Sequence, residues 1–148
     1  MNLPKTILVP TDFSSAASVA TEYAVGLAKE LGAKVVLLHA YEIPILGFPE
    51  APLVATPEMV ANIANTTQKA LETMVAKFAG RGVDVTPVLK TGDAREIVHA
   101  VAEEVNADLI VMGTHGRRGL SRALLGSVTE EVIRTSTRPV LTLRVPEK

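Results

Sequence analysis

The sequence predicts an α/β domain: one doubly wound, five-stranded parallel sheet with helices on both faces. Three observations lead there. Short apolar runs alternate with longer stretches whose apolar residues recur at helical spacing. No clear linker interrupts that alternation, so residues 1–148 read as a single domain. With 148 residues and 47% hydrophobic composition, the chain can bury a sizeable core. Strand–helix alternation favours a parallel sheet, and right-handed crossovers narrow the strand order to 3-2-1-4-5.

The first strand is Thr6–Pro10. Asp12 and Ser14 supply helix-start chemistry, and Ala20, Tyr23, Ala24, Leu27 and Leu31 mark a helical face that Gly32 can close. Lys34–Tyr41 is the second strand. Residues 42–56 carry Pro44, Gly47, Pro49 and Pro52 and read as a long loop. Thr56 can cap the next helix, with Pro57 in its first position. That helix carries Ile63, Leu71 and Met74, and Gly80 and Gly82 end it. Val83–Leu89 is the third strand, and Asp93 with Glu96 forms a capping-box pattern before Ile97, Val98 and Val101. Asp108–Met112 is the fourth strand, Ser127–Ser136 the last helix, and Val140–Val145 the fifth strand.

Composition removes several functions. The net charge of −1 lacks the basic excess of a general nucleic-acid binder, and 3% aromatic content leaves little for base-stacking platforms. The chain has no cysteine, which excludes disulfides, thiolate metal sites and thiol catalysis. No signal-peptide pattern and no membrane-length apolar run is present, so a cytoplasmic location without membrane association is expected.

The stretch Gly113-Thr-His-Gly-Arg-Arg-Gly-Leu-Ser-Arg-Ala-Leu-Leu-Gly-Ser127 is the most informative. It runs from the end of the fourth strand to the start of the last helix. Gly113, Gly116 and Gly126 allow close backbone approach or positive φ. Ser127 offers a hydroxyl, the helix start offers N–H groups, and Arg117, Arg118 and Arg122 add positive charge; together these suit a phosphate. In the predicted strand order, the ends of strands one and four are neighbours, so Asp12 and Gly113 flank a switch-point crevice. The phosphate loop Gly-x4-Gly-Lys-Ser/Thr and the dinucleotide fingerprint Gly-x-Gly-x-x-Gly after the first strand are both absent. Asp12, His115 and Ser127 do not make a hydrolase triad, because no Gly-x-Ser-x-Gly elbow holds the serine. His39 and His99 read as structural, and no cluster has metal-ligand spacing.

These residues resemble the universal stress protein family, whose nucleotide-binding members carry Gly-x2-Gly-x9-Gly-Ser/Thr. Gly113, Gly116, Gly126 and Ser127 meet that spacing without a gap. Val9-Pro10-Thr11-Asp12-Phe13-Ser14 and Leu37-Leu38-His39-Ala40 resemble the family's first two strand endings, and Ser127-Val128-Thr129-Glu130 and Arg138-Pro139-Val140 its final helix and strand. The resemblance implies ATP binding, with Mg²⁺ arriving on the phosphates. Pro10, Thr11 and Asp12 would meet the adenosine end, Ala40 the adenine, and Met112 and Gly113 the ribose. His115, Gly116, Arg117, Gly126, Ser127, Val128 and Thr129 would surround the phosphates. It also implies a homodimer through the last strand, Val140–Val145. An ATP-binding regulatory protein is the leading expectation, with a slow ATPase or phosphoryl-transfer enzyme, or a dimeric interaction module with an incidental pocket, as alternatives.

Overall fold

The computed structural model describes residues 2–115 and 125–145. The elements run β1 (Thr6–Pro10), α1 (Ser15–Leu31), β2 (Lys34–Tyr41), β3 (Leu46–Phe48), β4 (Ala51–Leu53), α2 (Pro57–Ala76), β5 (Val85–Thr91), α3 (Ala94–Glu104), β6 (Leu109–Gly113), α4 (Ser127–Thr135) and β7 (Val140–Leu143). The main sheet is parallel throughout, in the order β5-β2-β1-β6-β7. Numbered among themselves, these strands give the expected 3-2-1-4-5.

Alternation along each strand builds two cores. Ile7 and Val9, Val35 and Leu37, and Val111 pack with α1, α2 and Phe78 on one face. Leu8, Val36 and Leu38, and Ile110 and Met112 pack with α3 and α4 on the other. Ile7, Leu8, Leu37 and Ile110 are fully buried; each such side chain contributes roughly 1.5–3 kcal/mol. The inward side of α1 is nearly all small, with Ala16, Ala17, Ala20, Ala24 and Ala28 buried, so this helix lies close on the sheet. At Gly113 a Cβ would stand 2.9 Å from the Ala16 carbonyl carbon and oxygen.

Most helix ends follow the sequence signals. Ser14 Oγ accepts from the Ala17 N–H at 3.2 Å, and Gly32 closes α1 in the left-handed region at φ 65°. Thr56 Oγ1 caps α2 through the Met59 N–H, and Pro57 opens that helix. Two details differ. The Asp93 carboxylate accepts from the Arg95 N–H at 2.8 Å, where a capping box would use the Glu96 N–H; this turn leaves its carboxylate beside the Arg95 guanidinium. The segment expected as a loop holds an antiparallel hairpin, with Leu46 paired to Leu53 and Phe48 to Ala51. Proline removes ladder donors but is tolerated at turns and in edge strands, and Pro49-Glu50 forms the connection. Ile45, Phe48, Leu53 and Val54 are all more than two-thirds exposed there.

At the opposite end of the sheet from the crevice, the Asp108 carboxylate accepts from the N–H groups of Lys5 (2.9 Å) and Thr6 (3.0 Å). These bonds tie the start of β1 to the start of β6. They hold the Asp108 carboxyl below its ordinary value.

Candidate functional site

The C-terminal ends of β1, β2, β5 and β6 and the starts of α3 and α4 surround a cavity of about 610 Å³. That volume falls in the roughly 300–1,000 Å³ typical of small-molecule sites. The ends of β1 and β6 are neighbours in the sheet, as a switch-point crevice requires.

From β1 the cleft receives Pro10, Thr11 and Asp12. The chain leaves β1 through a tight turn. Asp12 Oδ1 accepts from the Ser14 N–H at 3.0 Å, and Thr11 Oγ1 accepts from the Phe13 N–H at 3.1 Å. Phe13 sits in the left-handed region at φ 63°, a conformation uncommon for a bulky side chain. Its ring packs 4.5 Å from that of His39, whose Nδ1 is 2.7 Å from the Thr11 carbonyl oxygen. His39 therefore braces the turn from behind. Ser14, not Asp12, caps α1, and the Asp12 carboxylate lines the cleft.

From β6 come Met112 and Gly113, followed by His115, and from α4 come Gly126, Ser127, Val128 and Thr129. The Gly126 N–H donates to the Thr114 carbonyl at 2.8 Å. Thr129 is buried, and its hydroxyl donates to the Gly113 carbonyl at 2.9 Å. That proton is committed to the strand. Gly113 has no positive φ; its missing side chain makes room for Ala16. Gly126 is the N-cap of α4 in extended geometry, φ −60° and ψ 146°, and gives the helix no side-chain cap. His115 Nδ1 lies 2.9 Å from Thr114 Oγ1. Gly116 and Arg117 of the expected site, with Arg118 and Arg122, lie outside the described residues.

Ala40 lines the cleft from β2. The other residues at that end were not anticipated: Glu42, and Gly92, Asp93, Ala94, Arg95 and Val98 at the β5–α3 junction. The predicted strand order already carried the signal. A third strand beside the second must end on the same rim, whereas the cap signal at Asp93 marks only where a helix begins. Asp93 accepts two bonds from Arg95 Nε, 2.9 Å to Oδ1 and 3.1 Å to Oδ2, and a further bond comes from Arg95 Nη2. The Arg95 guanidinium, then its N–H, lowers the Asp93 carboxyl from 3.8 to about 2.

The described lining therefore holds three carboxylates, Asp12, Glu42 and Asp93, and one guanidinium. Among the described residues no three acidic or histidine side chains come together to hold a metal ion. The helix ends differ in what they can still accept. Helices α1, α2 and α3 start under side-chain caps from Ser14, Thr56 and Asp93, whereas α4 starts from a glycine. An uncapped N-terminus presents N–H donors and partial positive charge.

Known proteins match this chain along nearly its whole length. A family model described as the universal stress protein family matches residues 4–144. Universal stress protein MJ0531 of Methanocaldococcus jannaschii is 38% identical, over 99% of this chain and 86% of its own length. The solved structure of MJ0577, from the same organism, is similar with a TM-score of 0.80 at 27% identity, covering 97% of this chain and 98% of that one. A universal stress protein solved in complex with cAMP shares the fold, with a TM-score of 0.72 at 23% identity, covering 96% and 98% of the two chains.

Proposed function

This chain belongs to the universal stress protein family, and we propose that within it the protein is an ATP-binding regulator whose cleft takes the nucleotide with its phosphates at the start of α4. The observation that carries this reading is the contrast between the two helix ends that open on the cleft. Asp93 already places a carboxylate on the N-terminus of α3, so an anion gains little there. Gly126 leaves the first-turn N–H groups of α4 without a side-chain cap. A phosphate can accept from them, and hydrogen bonds to a charged group contribute roughly 1.5–3 kcal/mol each. Ser127 adds its hydroxyl on the same rim.

The rest of the cleft fits the remainder of a nucleotide. Leu38, Ala40, Val98 and Met112 offer apolar surface for a base, and Asp12 offers acceptors for ribose hydroxyls or an exocyclic amine. A fold of this kind accommodates an adenine nucleotide in the protein solved with cAMP. Because the described donors do not assemble a metal site, Mg²⁺ enters as part of the nucleotide complex. Gly116 and Arg117 complete the phosphate end in this reading.

Regulation is favoured over catalysis because the Asp93 carboxylate is engaged by Arg95 and the Thr129 hydroxyl by the Gly113 carbonyl, which withdraws both from a base or nucleophile role. A homodimer would use edge strand β7, which among the described strands pairs with β6 alone. Mass spectrometry of small molecules released from natively purified protein tests the ligand directly. ATP or ADP at near-stoichiometric yield supports the reading, and a released metabolite of another class overturns it. A single-turnover assay on the loaded protein should leave ATP intact. Light scattering should report a dimer that Leu141→Arg dissociates.

A further inference from the structure

At the β5–α3 junction of the cleft, we propose that Arg95 is a ligand-binding residue whose guanidinium face packs on the nucleobase. The inference rests on the nucleotide reading above and assigns its base end a residue that the glycine motif does not include.

The geometry points to a flat contact and away from an anion anchor. Asp93 engages Arg95 along one edge, through Nε and Nη2. An edge-on carboxylate fixes the plane of the guanidinium and leaves its faces uncovered by that partner. The side chain is half-exposed at the rim of the cleft. Its charge is answered locally: Asp93 is bonded to it, and Glu42 and Glu131 add to the field that favours its charged form. A phosphate approaching Arg95 therefore meets carboxylates on the same rim, whereas a neutral base does not. Among the described residues lining the cleft there is no Phe, Tyr or Trp. Among the described lining residues, Arg95 supplies the one guanidinium plane. Small neighbours, Ala40 and Ala94, leave thickness for a ring. Arginine stacks on π surfaces by virtue of its plane, which lysine lacks.

Isothermal titration with Mg-ATP across a range of salt concentrations tests the assignment in wild type, Arg95→Ala and Arg95→Lys, each verified as folded by its thermal melt. Arg95→Ala should weaken binding about 3- to 10-fold, a cation–π-sized loss, by the same factor at every salt concentration. Arg95→Lys keeps the charge and loses the plane, so it should be weakened nearly as much. Unchanged binding in Arg95→Ala overturns the assignment. So does a loss that fades as salt rises and is restored by lysine, the pattern of a phosphate anchor. A folded wild type that binds no Mg-ATP refutes the nucleotide reading itself; a wild type that binds no better than Arg95→Ala refutes only the role of Arg95.

Discussion

Thr129 Oγ1 donates a hydrogen bond of 2.9 Å to the Gly113 carbonyl, joining the first turn of α4 to the last residue of β6. The chain segment between these residues spans the glycine-rich stretch, so this bond sets the span that the stretch must bridge. It also aims the N-terminus of α4 at the cleft. The bond thus couples a motif glycine at the end of β6 to the start of α4, and both residues line the cleft.

Replacing Thr129 with Val should keep the shape and delete the bond, leaving the part-buried Gly113 carbonyl without this donor. A loss of about 1 kcal/mol in stability follows from one missing hydrogen bond. Nucleotide affinity should fall as well, because α4 loses its fixed distance from β6. Urea unfolding and nucleotide titration on the same preparation separate the two effects.

Gly113→Ala tests packing. The added Cβ would stand 2.9 Å from the Ala16 backbone, which cannot yield as a flexible side-chain tip could. Overpacking of this kind costs about 1–3 kcal/mol, and chemical denaturation should show it with or without nucleotide. An unchanged unfolding midpoint would mean that α1 and β6 separate freely at this seam.

Acid sensitivity should trace partly to Asp108. Its carboxyl is held below its ordinary value by the Lys5 and Thr6 N–H donors. A depressed folded value means that the contribution is fully present above the unfolded value of about 3.9 and is lost as pH falls through the folded value. Asp108 is exposed, so solvent screening limits the effect to about 1 kcal/mol. Urea titrations across the acid range should show Asp108→Ala less stable than wild type near neutral pH, with the gap closing at low pH.

Much of this arrangement was legible in the sequence because the relevant signals are local. Thr6–Pro10 read as a strand from its unbroken apolar run, and Ser14, Gly32, Thr56 and Pro57 announced the helix ends they occupy. The switch point followed once the strand order was known, which placed Asp12 and Gly113 together across a hundred residues of chain. Less legible was what each glycine is for. Spacing marks Gly113 and Gly126 alike, yet one makes room for a helix and the other withholds a cap, a distinction that depends on what lies opposite. Asp93 and Arg95 went unremarked as site residues because a cap and its neighbour look the same wherever a helix begins; only the sheet brings that junction beside Ala40. The hairpin at 46–53 was hidden because its prolines read as breaks, although an edge ladder tolerates them.

Gly126→Asp examines the bare start of α4 most directly. The backbone there is extended and accepts any residue, and aspartate is a preferred N-cap, so the variant should be as stable as wild type or slightly more so. Its carboxylate would take the N–H groups assigned to phosphate. Isothermal titration of ligand-free protein with Mg-ATP should give saturable binding in wild type and a loss of about tenfold or more in the variant, the worth of one charge-assisted hydrogen bond. Equal binding by the two proteins, or none by wild type, would contradict a phosphate site at this helix end.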